Sequence, residues 1–224
     1  RGLDRLNNIE QVTIDNPGSS VTINVDGFNV PFGPQEFFIS YEFIPQTLTL
    51  LHPYGGERFT TFSTSTRQEM ITWQAEDNSS NPFTLEYSLD DGSTWTLIAN
   101  NISGTEFRYF WNVPDVVSDR ARIRISRNGS AATDVSEGNF AIMGLPNLST
   151  AVPCEGYVDL SWSAITGATS YEVMQLVNGV LAQTATTTTT THRVSGLDKN
   201  TTYWFTVRPR IGDTLGRRAI ARSV

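Results

Sequence analysis

Apolar and polar residues alternate along this chain in short runs, and apolar positions never settle into the spacing of an amphipathic helix. Phe83, Leu85 and Tyr87 alternate with polar neighbours, the period of a half-buried strand. Asp90-Asp91-Gly92 then marks a tight turn, because Gly tolerates φ > 0 and Asp bonds nearby backbone. Trp95 opens the returning strand and is expected to drop its ring onto the core. Two further tryptophan strands, Met70-Ile71-Thr72-Trp73 and Phe110-Trp111-Asn112-Val113, flank this hairpin. Ala121, Ile123 and Ile125 share an inward face, which turns Arg120, Arg122 and Arg124 outward; Arg108 and Phe110 face away from Phe107, Tyr109 and Trp111. Strand-like runs recur every ~8–12 residues between Gly, Pro, Asn and Asp clusters, the spacing of β-sandwiches.

The pattern divides into three blocks. Residues 1–44 hold the runs Glu10-Gln11-Val12-Thr13-Ile14, Val21-Thr22-Ile23-Asn24-Val25 and Phe37-Phe38-Ile39-Ser40-Tyr41-Glu42-Phe43. A stretch this short is near the lower limit for folding alone, so it is expected to be a partial β element, the end of an upstream jelly-roll-like domain, with exposed sheet edges. Residues 45–144 begin at Pro53-Tyr54-Gly55-Gly56-Glu57, carry the tryptophan strands and close with Asn139-Phe140-Ala141-Ile142. Residues 145–224 carry Asp159-Leu160-Ser161-Trp162, Tyr171-Glu172-Val173 and Tyr203-Trp204-Phe205-Thr206-Val207. The linker Gly144-Leu145-Pro146-Asn147 is short and predicts two sandwiches nearly end to end with limited swing. Thr184 and the run from Thr186 to Thr191 read as an edge strand, given the β propensity of threonine.

These motifs carry resemblances. The middle block resembles an Ig-like repeat of large exported bacterial proteins, with Tyr54 and Asp91 replacing that repeat's usual Asn and Gly at turns. The third resembles a fibronectin type III domain: Asp159-Leu160-Ser161-Trp162 would be strand B, Tyr171-Glu172-Val173 strand C, and Tyr203 the corner tyrosine whose hydroxyl bonds backbone near Leu197. In the first block, Asn7-Asn8-Ile9-Glu10-Gln11-Val12 and Val30-Pro31-Phe32-Gly33-Pro34-Gln35-Glu36-Phe37 resemble the β-rich region after the catalytic domain of exported, Bacteroidetes-like subtilisin-family (S8) peptidases. Ser88-Leu89-Asp90-Asp91-Gly92-Ser93-Thr94-Trp95 also fits the Asp-box of sialidases, a hairpin stabiliser remote from catalysis. The fold implied is all-β, with tandem Ig-like and fibronectin type III sandwiches resting on Trp73, Trp95, Trp111, Trp162 and Tyr203.

Composition narrows the function. In 224 residues, 38% are hydrophobic and 11% aromatic, enough for packed cores. A net charge of −7 argues against nucleic acid and anionic membrane as partners, and no apolar run reaches the ~20 residues that would insert in a bilayer. The single cysteine, Cys154, allows no intrachain disulfide, which fits an exported bacterial protein better than a secreted animal one. Arg1-Gly2-Leu3-Asp4-Arg5 lacks signal-peptide character, and the chain reads as a piece of something longer. Asn78-Ser79-Ser80, Asn101-Ile102-Ser103 and Asn128-Gly129-Ser130 match the glycosylation pattern, which chance explains in a sequence so rich in Asn, Ser and Thr.

Reaction chemistry is short of parts. His52 and His192 fall in different blocks, and no paired base and nucleophile can be assembled around Cys154. Zinc would need three or four His or Cys ligands, and no cofactor is expected. Asp90 and Asp91 are the calcium candidates, but two adjacent carboxylates fall short of its six to eight oxygens. What stands out instead is an outward face. With Tyr171 and Val173 inward, Met174 and Leu176 point out; with Tyr203, Phe205 and Val207 inward, Trp204 points out. These strands neighbour one another in this fold, so Met174, Leu176 and Trp204 should form one exposed apolar patch. The expected function is a non-catalytic spacer and interaction region of a large secreted or cell-surface bacterial protein, its partners other domains of the same polypeptide. The alternative is an adhesion module for surface polysaccharide or protein.

Overall fold

A computed structural model describes residues 12, 14, 20–27, 32–34, 36–42, 47–61, 68–76, 80–152 and 156–224. The strands are β1 (Thr47–His52), β2 (Arg58–Thr60), β3 (Glu69–Glu76), β4 (Phe83–Ser88), β5 (Thr96–Ile102), β6 (Arg108–Trp111), β7 (Ser118–Arg127), β8 (Thr133–Val135) and β9 (Phe140–Met143). There follow β10 (Leu148–Thr150), β11 (Tyr157–Trp162), β12 (Ser170–Val177), β13 (Val180–Thr187), β14 (Thr191–Ser195), β15 (Trp204–Ile211), β16 (Thr214–Leu215) and β17 (Arg222–Ser223). The architecture is all-β, and no helix occurs among the described residues.

The first sandwich packs sheet β1-β3-β6 against sheet β2-β9-β7-β4-β5. The chain passes from one sheet to the other between β1 and β2, just after the cis His52–Pro53 bond, and β2 then runs parallel to β9. Strand β7 is long enough to pair with β9 near one end and β8 near the other. Its alternation sends Ala121, Ile123 and Ile125 into the core. There they join Phe83, Leu85, Trp73 and Trp111, with the Trp73 ring edge-on to Phe83 at 5.3 Å. Arg127 continues the same inward face and closes the end of the core. Its guanidinium lies 4.0 Å over Phe83 and donates to the Asn81 carbonyl.

The second sandwich packs sheet β10-β11-β14 against β13-β12-β15, the latter extended by β16 and β17 along β15. This is the fibronectin type III strand order. Its core holds Trp162, Tyr171, Val173, Phe205 and Val207. The Tyr203 hydroxyl accepts the Asp198 amide at 3.0 Å, one residue beyond Leu197, so the corner tyrosine is where the resemblance implied.

Three expectations need correcting. The strands expected at 21–25 and 37–43 are not formed over the described residues 21–25 and 37–42. The described residues there carry no ladder and their apolar side chains stay exposed; a strand exists only where a second segment completes its backbone ladder, and no such ladder is formed there. The first run, at 10–14, falls largely outside the described residues. Second, the threonine run is not one edge strand. Thr184, Thr186 and Thr187 do belong to edge strand β13, but Thr188 to Thr190 carry the chain across to the opposite sheet, where Thr191 opens β14. Third, Trp95 is half-buried outside both cores. Its ring lies 4.4 Å beneath the Arg124 guanidinium, on the outer face of the sheet.

Candidate interaction surface

Strands β12 and β15 set Glu172 opposite Arg208, Met174 opposite Thr206 and Gln175 opposite Phe205. Tyr171, Val173, Phe205 and Val207 fill the core, so Glu172, Met174, Leu176, Trp204, Thr206, Arg208 and Arg210 share the outer face. That face has two halves. At one end Glu172 is buried and held by two cations: Arg208 Nε donates to Oε2 at 2.6 Å and Arg210 Nη1 lies 3.2 Å from Oε1. At the other end Leu176 and Trp204 are 39% and 43% exposed. Leu181 of β13, opposite Leu176, extends this apolar row onto a third strand.

Met174 breaks the expected patch, since it is only 3% exposed although it lies outside the core cluster. Its register neighbours are polar residues that are themselves engaged. Gln183 stands opposite it on β13 and bonds Thr186 at 2.9 Å, while Thr206 is fixed to the Ala219 carbonyl at 2.8 Å. The exposed contact is therefore Leu176 and Trp204. The Glu172–Arg208–Arg210 cluster went unnoticed in the sequence. Its signal was the even spacing that puts an acid on β12 and two arginines on β15 on one face.

The Asp90 turn is built from within. Ser88 Oγ donates to Asp90 Oδ1 at 2.7 Å, the Thr94 amide to Oδ1 at 2.8 Å and the Thr94 hydroxyl to Oδ2 at 2.7 Å. The Thr94 hydroxyl first, then its amide and the Ser88 hydroxyl, favour the ionised carboxylate and lower Asp90 to about 2. Asp91 occupies the left-handed region at φ 61° and pairs with Arg122 Nε at 2.7 Å. Both calcium candidates are thus occupied by protein donors, and the described residues contain no group of three His, Cys, Asp or Glu that could hold a metal ion. Glu57 is likewise engaged, accepting the Tyr54 and Gly55 amides at 2.7 and 2.8 Å.

The outward arginines are mostly paired: Arg122 also donates to Asn139, and Arg124 meets Glu86 at 2.6 Å. Phe110 is exposed opposite Met70, as its strand phase implied, but Phe107 is also exposed rather than turned inward. The described residues also form open grooves. One, about 590 Å³, lies on the second sandwich and is edged by hydroxyls of Ser161, Thr187, Thr189 and Thr191 beside the Asp159–Arg193 pair. Another, about 480 Å³, lies between the sandwiches, where Arg58 and Arg120 face Asp213 and Thr214. His192 borders the first groove and His52 belongs to the other sandwich, 3.7 Å from Glu57. Cys154 lies outside the described residues. No helix among the described residues is long and apolar enough to cross a membrane.

No family model matches the chain, and no curated protein does. Among solved structures it is similar to a segment of two fibronectin type III domains from chicken tenascin. Identity there is 13% and the TM-score 0.46, over 81% of this chain and 98% of that one. It is also similar to the sixth fibronectin type III domain of human fibronectin type III domain containing protein 3, at 14% identity and TM-score 0.33, over 37% of this chain and 83% of that one. A third likeness is to FN3tt, at 22% identity and TM-score 0.31, over 36% and 84%. Each is a likeness of fold; in this chain the strand order itself defines the sandwiches.

Proposed function

We propose that this chain is a non-catalytic accessory and interaction region of a larger exported bacterial protein, placing or docking the part that carries activity. One observation carries the reading. The conspicuous acids Asp90, Asp91 and Glu172 are each held by donors of their own sandwich, while Leu176 and Trp204 remain open to solvent. Groups locked in structural pairs are poor acids, bases or ligands, whereas an exposed tryptophan on a rigid sheet is the usual form of an interface anchor. Within this reading the parent is a subtilisin-like peptidase, supported by the one resemblance that residues 7–12 and 30–37 carry together. An Asp, His and Gly-x-Ser set encoded upstream would support that parentage; its absence would remove it.

A second reading, an adhesion module for surface polysaccharide or protein, draws on the same Leu176–Trp204 row. The two are separated by presenting the chain with a polysaccharide array and with the neighbouring domains of its own polypeptide. Trp204→Ala should weaken the true partner at least tenfold while the melting temperature holds, since the ring is outside the core. Unchanged binding by a folded Trp204→Ala chain would remove the patch from the interface. Turnover of any substrate by the isolated chain would overturn the non-catalytic reading.

A further inference from the structure

We infer that the two sandwiches are locked into one rigid body with a set direction between them, by a joint made from four separate contacts. First, the linker is anchored at both ends: it leaves from Met143, the last residue of β9, which is 1% exposed and whose carbonyl accepts the Thr61 amide at 3.3 Å within the first sandwich. Pro146 is buried, and the Asn147 amide donates to Ser163 Oγ at 2.9 Å while its carbonyl accepts the Ser163 amide at 3.3 Å. Second, Gly144 lies under Ile165 of the second sandwich, leaving 3.3 Å to Cδ1 for any added Cβ. Third, Gly167 of the second sandwich meets Val117 of the first so closely that a Cβ there would sit 2.8 Å from Val117 Cγ1. Fourth, Gly216 approaches Met143 Sδ, and the adjacent Arg217 forms a 2.7 Å ion pair with Glu69 across the joint.

These contacts join several separate pairs of elements. Glu69 and Arg217 come from β3 and from the stretch between β16 and β17, whereas Val117 and Gly167 come from the loop before β7 and the loop before β12. A swing about residues 144–147 that parts any of these pairs breaks the contact that pair makes. A short linker limits the range of motion; contacts between several pairs of elements select one direction within it. Two domains joined only by a tether move independently by default, and a packed joint removes that freedom. The use we assign to the joint, holding flanking polypeptide at a fixed angle, rests on the accessory-region reading; the joint's geometry does not.

The test is backbone nitrogen relaxation of the full chain in solution. Amides of residues 83–143 and 157–223 should fit one rotational diffusion tensor; two separate tensors would overturn the joint. Glycine substitution supplies an independent check. Gly167 and Gly179 both sit at positive φ, +76° and +80°, so Ala imposes a similar backbone strain at each. Only Gly167 faces the other sandwich, since nothing lies within 4 Å of a Cβ built on Gly179. Gly167→Ala should therefore lower the melting temperature more than Gly179→Ala does, and equal shifts would overturn the inference. Independent tumbling would leave the accessory reading standing, while substrate turnover would sink that reading and leave the joint intact.

Discussion

The Asp90 carboxylate closes its hairpin from inside the turn, tying Ser88 on the outgoing strand to Thr94 on the returning side. Because the fold lowers its pKa from 3.8 to about 2, the ionised form favours the folded state. This contribution is fully present above the unfolded value and is lost as pH falls from there to about 2. An NMR titration of the Asp90 carboxyl carbon should give a midpoint near 2. Asp90→Asn should flatten the loss of stability across that window, leaving the part owed to Asp159, which Arg193 also holds below its ordinary value. A midpoint at the usual carboxylate value would contradict the geometry. Tryptophans make the complementary point. Trp73 and Trp162 are core, so their replacement by Ala should cost about 3–5 kcal/mol. Trp95 only roofs Gly92 and stacks under Arg124, so Trp95→Ala should cost about 1 kcal/mol. Comparing urea midpoints of the three variants checks both figures. The large ring of Trp95 points to a core position, yet it lies outside both cores. Size does not distinguish a ring buried between sheets from one stacked under an arginine on the outside.

Strand by strand, alternation was a good guide to which face a residue takes. Phe83 and Leu85, the Ala121–Ile125 series, Tyr171 with Val173 and Phe205 with Val207 all point where their phase put them. What alternation cannot supply is the company a residue keeps on its face. Met174 is outward in phase and yet buried, and its register neighbours, Gln183 and Thr206, come from strands distant in sequence. The same blindness hid Glu172, which is legible as an acid on β12 but becomes a buried ion cluster only when β15 brings two arginines alongside. Removing it leaves Arg208 without its anion in a largely dehydrated setting and Arg210 with only the exposed Asp213. Glu172→Ala should thus destabilise by roughly 3 kcal/mol. Replacing Glu172 and Arg208 together with apolar residues should cost less than the two single changes summed. Strict additivity in denaturant melts would show that the pair contributes nothing as a pair. The runs at 21–25 and 37–42, which form no ladder, show the same limit from the other side. Their patterning is that of strands, but a ladder needs a second chain segment, and none of the described residues provides it.

At the scale of the whole molecule, the joint ties the stability of one sandwich to the other. If Met143 is buried only when both sandwiches are folded and docked, unfolding either one exposes it and breaks the Glu69–Arg217 pair. The cost of separation then adds to the cost of unfolding the first sandwich, and a partly unfolded chain is disfavoured relative to two independent domains. Calorimetry should consequently show one endotherm whose van't Hoff and calorimetric enthalpies agree. Trp162→Ala, although confined to the second core, should lower the transition reported by amides of β4 and β7 as well as by those of β12 and β15. Two resolved transitions, with the first sandwich melting unchanged in the Trp162→Ala chain, would mean that the interdomain contacts are too small to couple the cores. The joint would then orient the sandwiches without stabilising them. A sequence reading could place the short linker but not this coupling, because Val117, Gly167, Glu69 and Arg217 carry no pattern in common. They become neighbours only after both sandwiches have folded, and the direction they impose is a property of the pair.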